Sequence, residues 1–316
     1  MAVREGGAAA DLLAQLSSLR QHQRNGHRSP HKPLLVLLAL GRLTTTGSSE
    51  LPWSVAEVTL ANLVGEFGQP SRTARAQSAA YPFTRLRADG VWKLDADVPM
   101  DLVKPLTERH VTGRLASPLE AAFRADPALV LSVARDLATS NFPHTVVPDV
   151  LEAVGLDPAI LLDAADPLLA TGQASSGRRR DPGWRFAVLQ AWDRQCAFCG
   201  YDGQLAGASI GVEAAHVRWF AFDGPDTLDN GLALCVLHHK LFDIGVLGLD
   251  PGLRVLVSTA FTARTGAGRA VYDLHHRTLS PRPGTTSPAP AHIAWHAREV
   301  FKAQPLTSSL LAPGPN

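Results

Sequence analysis

The stretch from Cys196 to Asp243 constrains this chain more than any other part of the sequence. It contains four motifs in a fixed order: Cys196-x-x-Cys199, the segment EAAH that ends at His216, Asn230-Gly231, and His239 nine residues after the asparagine. The pattern predicts a cysteine knuckle, a strand that ends in a histidine, and a helix that starts near Gly231 and runs through LALCVLHHKLFD. Because composition, order and spacing agree, the motifs indicate one site rather than scattered histidines.

This layout resembles that of the HNH nucleases, the ββα-metal class, in which two strands and a helix surround a metal ion. The resemblance implies that His216 is the general base and that His239 is a metal ligand. It also implies that Asn230 ties the loop between hairpin and helix, so that His216 faces the metal. A divalent ion of the Mn²⁺ or Mg²⁺ class is the expected cofactor.

Hydrolysis of a phosphodiester accounts for these residue types. A base must deprotonate water, and a hard cation must neutralise the charge that grows on the phosphorane and on the leaving oxygen. His216 suits the first role because imidazole titrates near neutrality. Many family members have an aspartate ligand directly before the base, where this chain has Ala215. Asp243, four residues after His239, and Glu213, three before His216, are the two alternatives for completing the ligand shell.

The cysteines indicate a second metal site. The chain has three of them, Cys196, Cys199 and Cys235, and His238 follows Cys235 by three residues. A C-x-x-C pair with a C-x-x-H pair gives Cys₃His, a closed ligand set for structural zinc. Such a zinc ion would clamp the catalytic helix to the knuckle. The alternative is three reduced thiols without a metal, and neither alternative predicts disulfides.

At 316 residues the chain is long enough for two domains, and the predicted fold class is α+β. The predicted parts are a mostly helical domain over 1–156, a linker over 157–181, an HNH domain over 182–302 and a disordered tail over 303–316. The first domain is expected to contain a small β-hairpin in YPFTRLRADGVWKL, around Asp89-Gly90. No apolar run reaches the ~20 residues of a membrane span and no signal-peptide core is present, so we expect a cytoplasmic protein without membrane contact.

Positive charge is segregated in the first domain, although the net charge of the chain is only +1. From Arg20 to Lys32 there are seven Arg, Lys or His residues and no acid. From Pro70 to Ala88 there are four arginines, again without an acid. An ordinary solvated face would mix in Asp and Glu. These segments therefore indicate a surface that follows the phosphates of double-stranded DNA.

Three segments of the first domain, HKPLLVLLALGRL, YPFTRL and DGVWKL, resemble the sulfur-binding domain of McrA-like restriction endonucleases from streptomycetes. The later segments EAAH, GPD, NGLAL, KLFD and AWHAREVF fit the nuclease of the same family. The family is phosphorothioate-dependent, so the resemblance implies a restriction enzyme whose partner is phosphorothioate-modified double-stranded DNA. It implies that Tyr81 and Pro82 form the wall of the sulfur pocket and that Arg28, after His27, clamps a phosphate. Arg109 and Arg114 both fit a further arginine, and Arg109 is preferred. The predicted DNA contacts are His27, Arg28, Lys32, Arg75, Tyr81, Pro82, Phe83, Arg109 and Arg114.

The chemistry of sulfur agrees with these residue types. A sulfur atom in place of a non-bridging phosphate oxygen is larger, more polarisable and a poorer hydrogen-bond acceptor. A pocket that prefers it should offer apolar surface, while nearby cations bind the remaining oxygens. Plain core packing at the start of a strand is the alternative explanation for the run Tyr81-Pro82-Phe83.

Three functions remain open at this point. The first is a modification-dependent restriction nuclease that reads phosphorothioate DNA. The second is an HNH nuclease whose first domain reads a methylated base or plain sequence, since aromatic residues could also stack a flipped base. The third is a DNA-binding protein in which the HNH fold is only a zinc scaffold. One HNH site cuts one strand, so a double-strand break would suggest a homodimer or sequential nicking.

Overall fold

The computed structural model describes residues 11, 13–16, 19, 23–24, 27–68, 79–161, 182–279 and 284–307. The chain divides into two compact units, here called unit 1 (residues 1–69 and 73–179) and unit 2 (residues 70–72 and 180–316). Helices and small antiparallel sheets occur in both, which confirms the α+β class. Within the described residues, no helix is both long enough and apolar enough to span a bilayer.

Unit 1 is mainly helical. Its helices are α1 His31–Thr46, α2 Trp53–Phe67, α3 Ala80–Arg85, α4 Val103–Glu108, α5 Ser117–Ala125, α6 Pro127–Asn141 and α7 Val147–Ala153. Its strands are β1 Gln23–Arg24, β2 His27–Arg28, β3 Leu51–Pro52, β4 Trp92–Leu94 and β5 Thr112–Leu115. Strands β1 and β2 form a small hairpin, while β5 lies between β3 and β4 and is antiparallel to both.

Helix α1 is the centre of unit 1. It is apolar on every side and buried almost completely from Lys32 to Leu43, as expected for a helix that other elements surround. Helices α2, α3 and α6 pack against it. Gly41 allows the backbone after α7 to approach α1 closely, because a Cβ there would lie 1.8 Å from the carbonyl oxygen of Val154.

The predicted hairpin around Asp89-Gly90 is wrong. Residues 80–85 form α3, a 3-10 turn covers Leu86–Asp89, and β4 pairs with β5 instead of with a strand before the turn. Gly90 has a φ of 73°, so the Asp-Gly pair ends a helical segment. A glycine in the left-handed region can serve a helix C-terminus as well as a hairpin turn. Burial of Phe83 between Trp53 and Trp92 favours the helix over the hairpin at this position.

Unit 1 extends beyond the predicted boundary at residue 156. A 3-10 turn over Pro158–Leu161 packs against α6 and α7. Residues 162–181, the remainder of the predicted linker, lie outside the described part of the chain.

Unit 2 is built around two long paired strands. Its helices are α8 Pro182–Ala191, α9 Val236–Asp243, α10 Gly266–Arg269 and α11 Pro290–Glu299. Its strands are β6 Gln204–Leu205, β7 Ala208–Ser209, β8 Val212–His216, β9 Gly231–Cys235, β10 Leu247–Leu249 and β11 Val255–Val257. The antiparallel pairs are β6 with β7, β8 with β9, and β10 with β11.

Strand β8 is confirmed as a strand that ends in His216, but the helix predicted from Gly231 begins only at Val236. Residues 231–235 instead form β9, whose register with β8 runs from Val212 opposite Cys235 to His216 opposite Gly231. Helices α8 and α9 both contact β9, and four of its five residues are buried. A short apolar run buried on both faces has no alternation, so its sequence does not separate strand from helix.

Residues 303–307 belong to the fold of unit 2, although the sequence predicts a disordered tail from 303. The backbone N–H of Leu306 donates to the carbonyl of Val257, and Pro305 forms a bridge with Ser258. The side chain of Leu306 packs against the core of unit 2. The predicted tail is therefore too long by these five residues, and 308–316 lie outside the described part of the chain.

His296 on α11 gives unit 2 a calculable dependence on pH. Its ring stacks on Phe242 at 3.8 Å between centroids, and its Nε2 donates to the carbonyl of Phe242. Burial lowers the pKa of His296 to about 3. The imidazole therefore becomes protonated near pH 6.5 in the unfolded chain, but only near pH 3 in the folded chain. The contribution of His296 to the free energy of unfolding is fully present above pH 6.5 and is lost as the pH falls below that value.

We expect the His296 term to reduce the free energy of unfolding by up to about 1.4 kcal/mol per pH unit below pH 6. His296→Gln keeps an N–H donor but does not titrate, so it should show a shallower loss between pH 6 and pH 4.5. Urea unfolding of both proteins across this range measures the difference in slope. Equal slopes would mean that His296 is not neutral in the folded protein.

Candidate metal centres and DNA-contacting residues

Three cysteines and a histidine converge at the start of α9. One ligand atom from each of Cys196, Cys199, Cys235 and His238 lies within 4.8 Å of the other three. Nδ1 of His238 is 3.5 Å from Sγ of Cys196 and 3.3 Å from Sγ of Cys235. Two cysteines come from the knuckle after α8, and the other two residues come from the end of β9 and the first turn of α9. The four residues predicted to share a metal are thus together.

These four residues fit a zinc ion. Zn–S bonds of about 2.3 Å and Zn–N bonds of about 2.0 Å in a tetrahedron place neighbouring ligand atoms about 3.5 Å apart, which is the separation that His238 has from two sulfurs. Zinc also requires thiolates. A hydrogen bond from Cys235 lowers the pKa of Cys196 to about 3, although burial opposes this effect. The same hydrogen bond raises the pKa of Cys235, and burial raises that of Cys199, so one thiolate is favoured before a cation is present. The cysteines are free thiols, so the cluster can supply sulfur ligands.

His239 lies between two carboxylates in a second cluster. Its Nδ1 is 2.8 Å from Oε2 of Glu213 on β8, and its Nε2 is 3.3 Å from Oδ2 of Asp243, one turn later on α9. Glu213 and Ala215 project from the same face of β8, because side chains alternate along a strand. Glu213 therefore supplies a carboxylate on the face where Ala215, which is fully buried, has none. Both alternatives for the ligand shell lie in contact with His239.

The charge at His239 suits a cation. Burial lowers the pKa of this imidazole, but the Asp243 and Glu213 carboxylates outweigh burial and raise it. The two acids thus favour a positive charge between them. Imidazole nitrogen with carboxylate oxygen is a ligand set for divalent ions of the manganese or magnesium class. Glu213, His239 and Asp243 therefore fit the expected divalent ion.

His216 has a different set of neighbours. Its Nε2 lies 2.8 Å from Oδ1 of Asp226 in the loop between β8 and β9. The indole of Trp184 on α8 stacks on the imidazole, with ring centroids 3.8 Å apart and planes inclined by 16°. Phe220 is tilted against the same ring at 5.8 Å. The ring of His216 is thus held on its face by an aromatic side chain and on one edge by a carboxylate.

Asn230 organises the loop that carries Asp226. It is fully buried, and its Oδ1 accepts a hydrogen bond from the backbone N–H of Arg218. Its Nδ2 donates to the carbonyls of Arg218 and Pro225, each at 3.0 Å. The predicted role in tying a loop fits these contacts, but the loop joins β8 to β9 and not a hairpin to the helix.

In unit 1, Tyr81 and Pro82 lie on α3, with the ring of Tyr81 half-buried and Pro82 buried. The guanidinium carbon of Arg85 lies 4.7 Å from the centroid of the Tyr81 ring. Nε of Arg85 donates to both oxygens of Asp101, at 2.9 and 3.0 Å. Burial raises the pKa of Tyr81, and Arg85 partly opposes the shift. Tyr81 therefore presents a neutral ring beside an arginine that already has a carboxylate partner.

Other predicted DNA contacts are engaged within unit 1. Lys32 is buried and forms an ion pair with Asp89. Arg114 donates to Glu50 and Glu120, so it lies in a network of ion pairs. Phe83 is a core residue, which agrees with the core-packing part of the alternative explanation, but it lies on α3 and not at the start of a strand.

The remaining predicted contacts have fewer described neighbours. Arg109, the preferred downstream arginine, is exposed, and its Nη1 donates to the carbonyl of Asp97. The backbone of His27 and Arg28 forms β2. Arg75 lies outside the described residues.

Comparison with protein families separates the two halves of the chain. Residues 9–159 match the family model of the ScoMcrA-like DNA sulfur-binding domain, and residues 196–250 match the family model of an HNH endonuclease. The chain joins a ScoMcrA-like sulfur-binding domain to an HNH nuclease domain. The matches confirm the pair of domains that the sequence motifs indicate, and the second of them is an HNH endonuclease domain.

Solved structures give weaker similarities. The sulfur-binding domain of ScoMcrA complexed with phosphorothioated DNA is 21% identical, with 46% of this chain and 94% of that chain covered and a TM-score of 0.40. The corresponding domain of SprMcrA, also complexed with phosphorothioated DNA, is 24% identical, with coverages of 47% and 94% and a TM-score of 0.39. The Type IV phosphorothioation-dependent restriction endonuclease ScoMcrA is 13% identical, with coverages of 72% and 93% and a TM-score of 0.37. No curated protein sequence matches the chain.

Three residues around the two domains' sites were not predicted from the sequence. In the HNH domain these are Trp184 and Asp226, which contact His216 from outside the motif positions. In the sulfur-binding domain it is Asp101, which pairs with Arg85 across a separation of 16 residues. The GPD segment that contains Asp226 is visible in the sequence, but no periodic spacing connects it to His216.

Proposed function

We propose that this protein is a modification-dependent restriction endonuclease that binds phosphorothioate-modified DNA and hydrolyses DNA phosphodiesters. The sulfur-binding domain selects the modified duplex, and the HNH domain cuts it. The observation that carries the proposal is the presence of both domains in one chain whose HNH domain keeps His216, Asn230 and His239. A DNA-binding protein that used the HNH fold only to hold zinc would not need the contacts of His216 with Asp226 or of His239 with Glu213 and Asp243.

The HNH domain supplies the groups that hydrolysis requires. His216 is the proposed base, since an imidazole can take a proton from water near neutral pH. Glu213, His239 and Asp243 are the proposed holders of a divalent ion of the Mn²⁺ or Mg²⁺ class. When bound, such an ion neutralises the charge that develops on the phosphate. The Cys₃His cluster is the proposed structural zinc site, which joins the knuckle to α9.

The sulfur-binding domain supplies an apolar contact for the modified phosphate. Tyr81 and Pro82 are the proposed wall, because an aromatic ring and a pyrrolidine offer polarisable apolar surface to sulfur. Arg109 is an exposed cation of the same domain and is the proposed contact to a neighbouring phosphate oxygen. His27, Arg28 and Arg75 remain proposed phosphate contacts. Lys32, Phe83 and Arg114 are left out of the proposal because of their internal partners and burial.

Cleavage of matched duplexes tests the proposal. Phosphorothioate, methylated and plain duplexes of one sequence are incubated with the full chain and either Mn²⁺ or EDTA. Cutting of the phosphorothioate duplex alone, and only with Mn²⁺, is the expected result. Cutting of the methylated duplex instead would favour a reader of another mark, and binding without cutting in any metal would favour the scaffold function.

Replacing Tyr81 should weaken sulfur recognition selectively. Burying an apolar side chain is worth roughly 1.5–3 kcal/mol, so Tyr81→Ala should lower affinity for phosphorothioate DNA about 10- to 100-fold. Affinity for plain DNA should change only a few-fold, since plain DNA is held mainly by phosphate contacts. Tyr81→Phe keeps the ring and is the matched control.

Fluorescence polarisation with both duplexes across a salt series measures this difference. An equal loss of affinity for both duplexes in Tyr81→Ala would remove the sulfur pocket from α3.

A further inference from the structure

The contact between His216 and Asp226 is partly buried. Nε2 of His216 lies 2.8 Å from Oδ1 of Asp226, and the two side chains are 11% and 12% exposed. A carboxylate so far out of water is costly unless it has a hydrogen-bond donor or a cation beside it. The imidazole N–H is such a donor. The pair is therefore a specific arrangement rather than a chance approach of two surface side chains.

The chain on both sides of Asp226 is fixed by the same elements that form the nuclease site. Before it, the carbonyl of Pro225 accepts a hydrogen bond from Nδ2 of Asn230. After it, the carbonyl of Thr227 accepts a hydrogen bond from the indole Nε1 of Trp184 at 3.0 Å. The backbone is thus held by hydrogen bonds at the residue before Asp226 and at the residue after it. The carboxylate of Asp226 therefore has little freedom to move away from His216.

Trp184 links this segment to the imidazole itself. The indole that holds the Thr227 carbonyl also stacks on His216, nearly parallel to it. Stacking fixes the plane of the imidazole, and the Asp226 contact fixes its rotation within that plane. A further packing feature keeps Trp184 in place: a Cβ at Gly231 would lie 2.5 Å from Cγ2 of Val188, so α8 packs closely on the start of β9.

We propose that Asp226 is a positioning residue for His216: it binds the Nε2–H and so presents Nδ1 as the basic nitrogen. This inference rests on the proposed role of His216 as the base. Water gives a proton to Nδ1, and its oxygen attacks phosphorus with the electron pair that remains. The P–O3′ bond breaks, its electrons stay on O3′, and O3′ takes a proton from solvent. The Nε2 proton stays in the hydrogen bond, and the Asp226 charge stabilises the imidazolium that forms.

The other charged groups near β8 have contacts of their own. Glu213 lies on β8, and His239 and Asp243 lie on α9, where His239 contacts both acids. Helix α8 faces His216 with the uncharged Trp184, and the loop after β8 faces it with Phe220 and Asp226. The carboxylate of Asp226 contacts the imidazole edge of His216 directly.

Two substitutions at Asp226 test the role with the full-length protein. Asp226→Asn keeps the shape but removes the charge and allows the wrong tautomer of His216. The cleavage rate at saturating phosphorothioate duplex and Mn²⁺ should fall at least about tenfold, with DNA affinity and melting temperature nearly unchanged. The acidic limb of the rate profile should move to lower pH, since the imidazolium has lost its counter-charge. Asp226→Glu keeps the charge and should restore part of the rate. Asp223→Asn makes the same charge change at an exposed position of the loop and should leave rate and profile unchanged.

A second measurement does not depend on cleavage. Nitrogen NMR of histidine-labelled protein without added metal should show His216 protonated at Nε2 in the native chain. Its titration midpoint should be lower in Asp226→Asn. If Asp226→Asn keeps the native rate profile and the native midpoint while His216→Ala is inactive, Asp226 has no positioning role. If the native protein cuts none of the duplexes, the proposed function fails, and the NMR midpoints alone then decide whether Asp226 controls His216.

Discussion

His216→Ala should abolish cleavage while leaving DNA binding within a few-fold of the native value. A general base contributes typically about 10²- to 10⁴-fold to rate and little to ground-state binding. The side chain is partly exposed at the edge of the core of unit 2, where it lies against Trp184 and Asp226, so its removal should not unfold the domain. Single-turnover cleavage with Mn²⁺, together with binding of the same duplex in EDTA, separates the two effects.

His276→Asn is the control for His216→Ala. His276 is an exposed histidine of the same domain with a φ of 64°, a conformation that asparagine tolerates. It should cut like the native protein. Cleavage by His216→Ala at a tenth of the native rate or more would remove His216 from the role of base.

Loss of zinc is the second large effect that we expect. Purified protein should contain about one zinc ion per chain, and Cys196→Ser should lose it. Apparent binding energies of structural zinc are about 10–16 kcal/mol, which equals or exceeds the total stability of most domains. Unit 2 should therefore melt far below the native temperature in this variant, or fail to fold. Elemental analysis and thermal unfolding measure both consequences.

His238 offers a sharper version of the zinc experiment. His238→Cys converts C-x-x-H to C-x-x-C and should keep the zinc, because Cys₄ is also a closed set. His238→Ala should lose it, and Leu205→Ser, at an exposed position of the nearby β6, should change neither zinc nor melting. Full stability in both Cys196→Ser and His238→Ala would show that the cluster does not hold a structural metal.

Short-range motifs in the sequence account for part of each candidate metal cluster. Cys235 and His238 are three residues apart, as are Cys196 and Cys199, so each pair can share a ligand site by local geometry alone. Asp243 follows His239 by one helical turn, which places both on one face. Glu213 was one of two alternatives for completing the ligand shell. The sequence spacing does not place it near His239; the pairing of β8 with β9 does.

The residues that the sequence did not reveal depend on contacts between distant segments. Asp226 reaches His216 through a loop whose course is set by Asn230 and Trp184, and no residue spacing encodes that course. The aromatic residues Tyr81 and Phe83 favour a strand by propensity, but burial of Phe83 against Trp53 and Trp92 stabilises a helix there. Residues 231–235 were assigned to the wrong element because a buried strand and a buried helix have the same apolar composition.

The ion pair between Arg85 and Asp101 bears on the proposed sulfur site at Tyr81. An arginine above an aromatic ring would by itself attract any phosphate, modified or not. Here the guanidinium shares its charge with a carboxylate, so both kinds of phosphate, which carry the same charge, meet a neutralised cation beside the ring. In the proposed site, contact between sulfur and the polarisable ring would then supply most of the discrimination, because charge attraction contributes equally little to both.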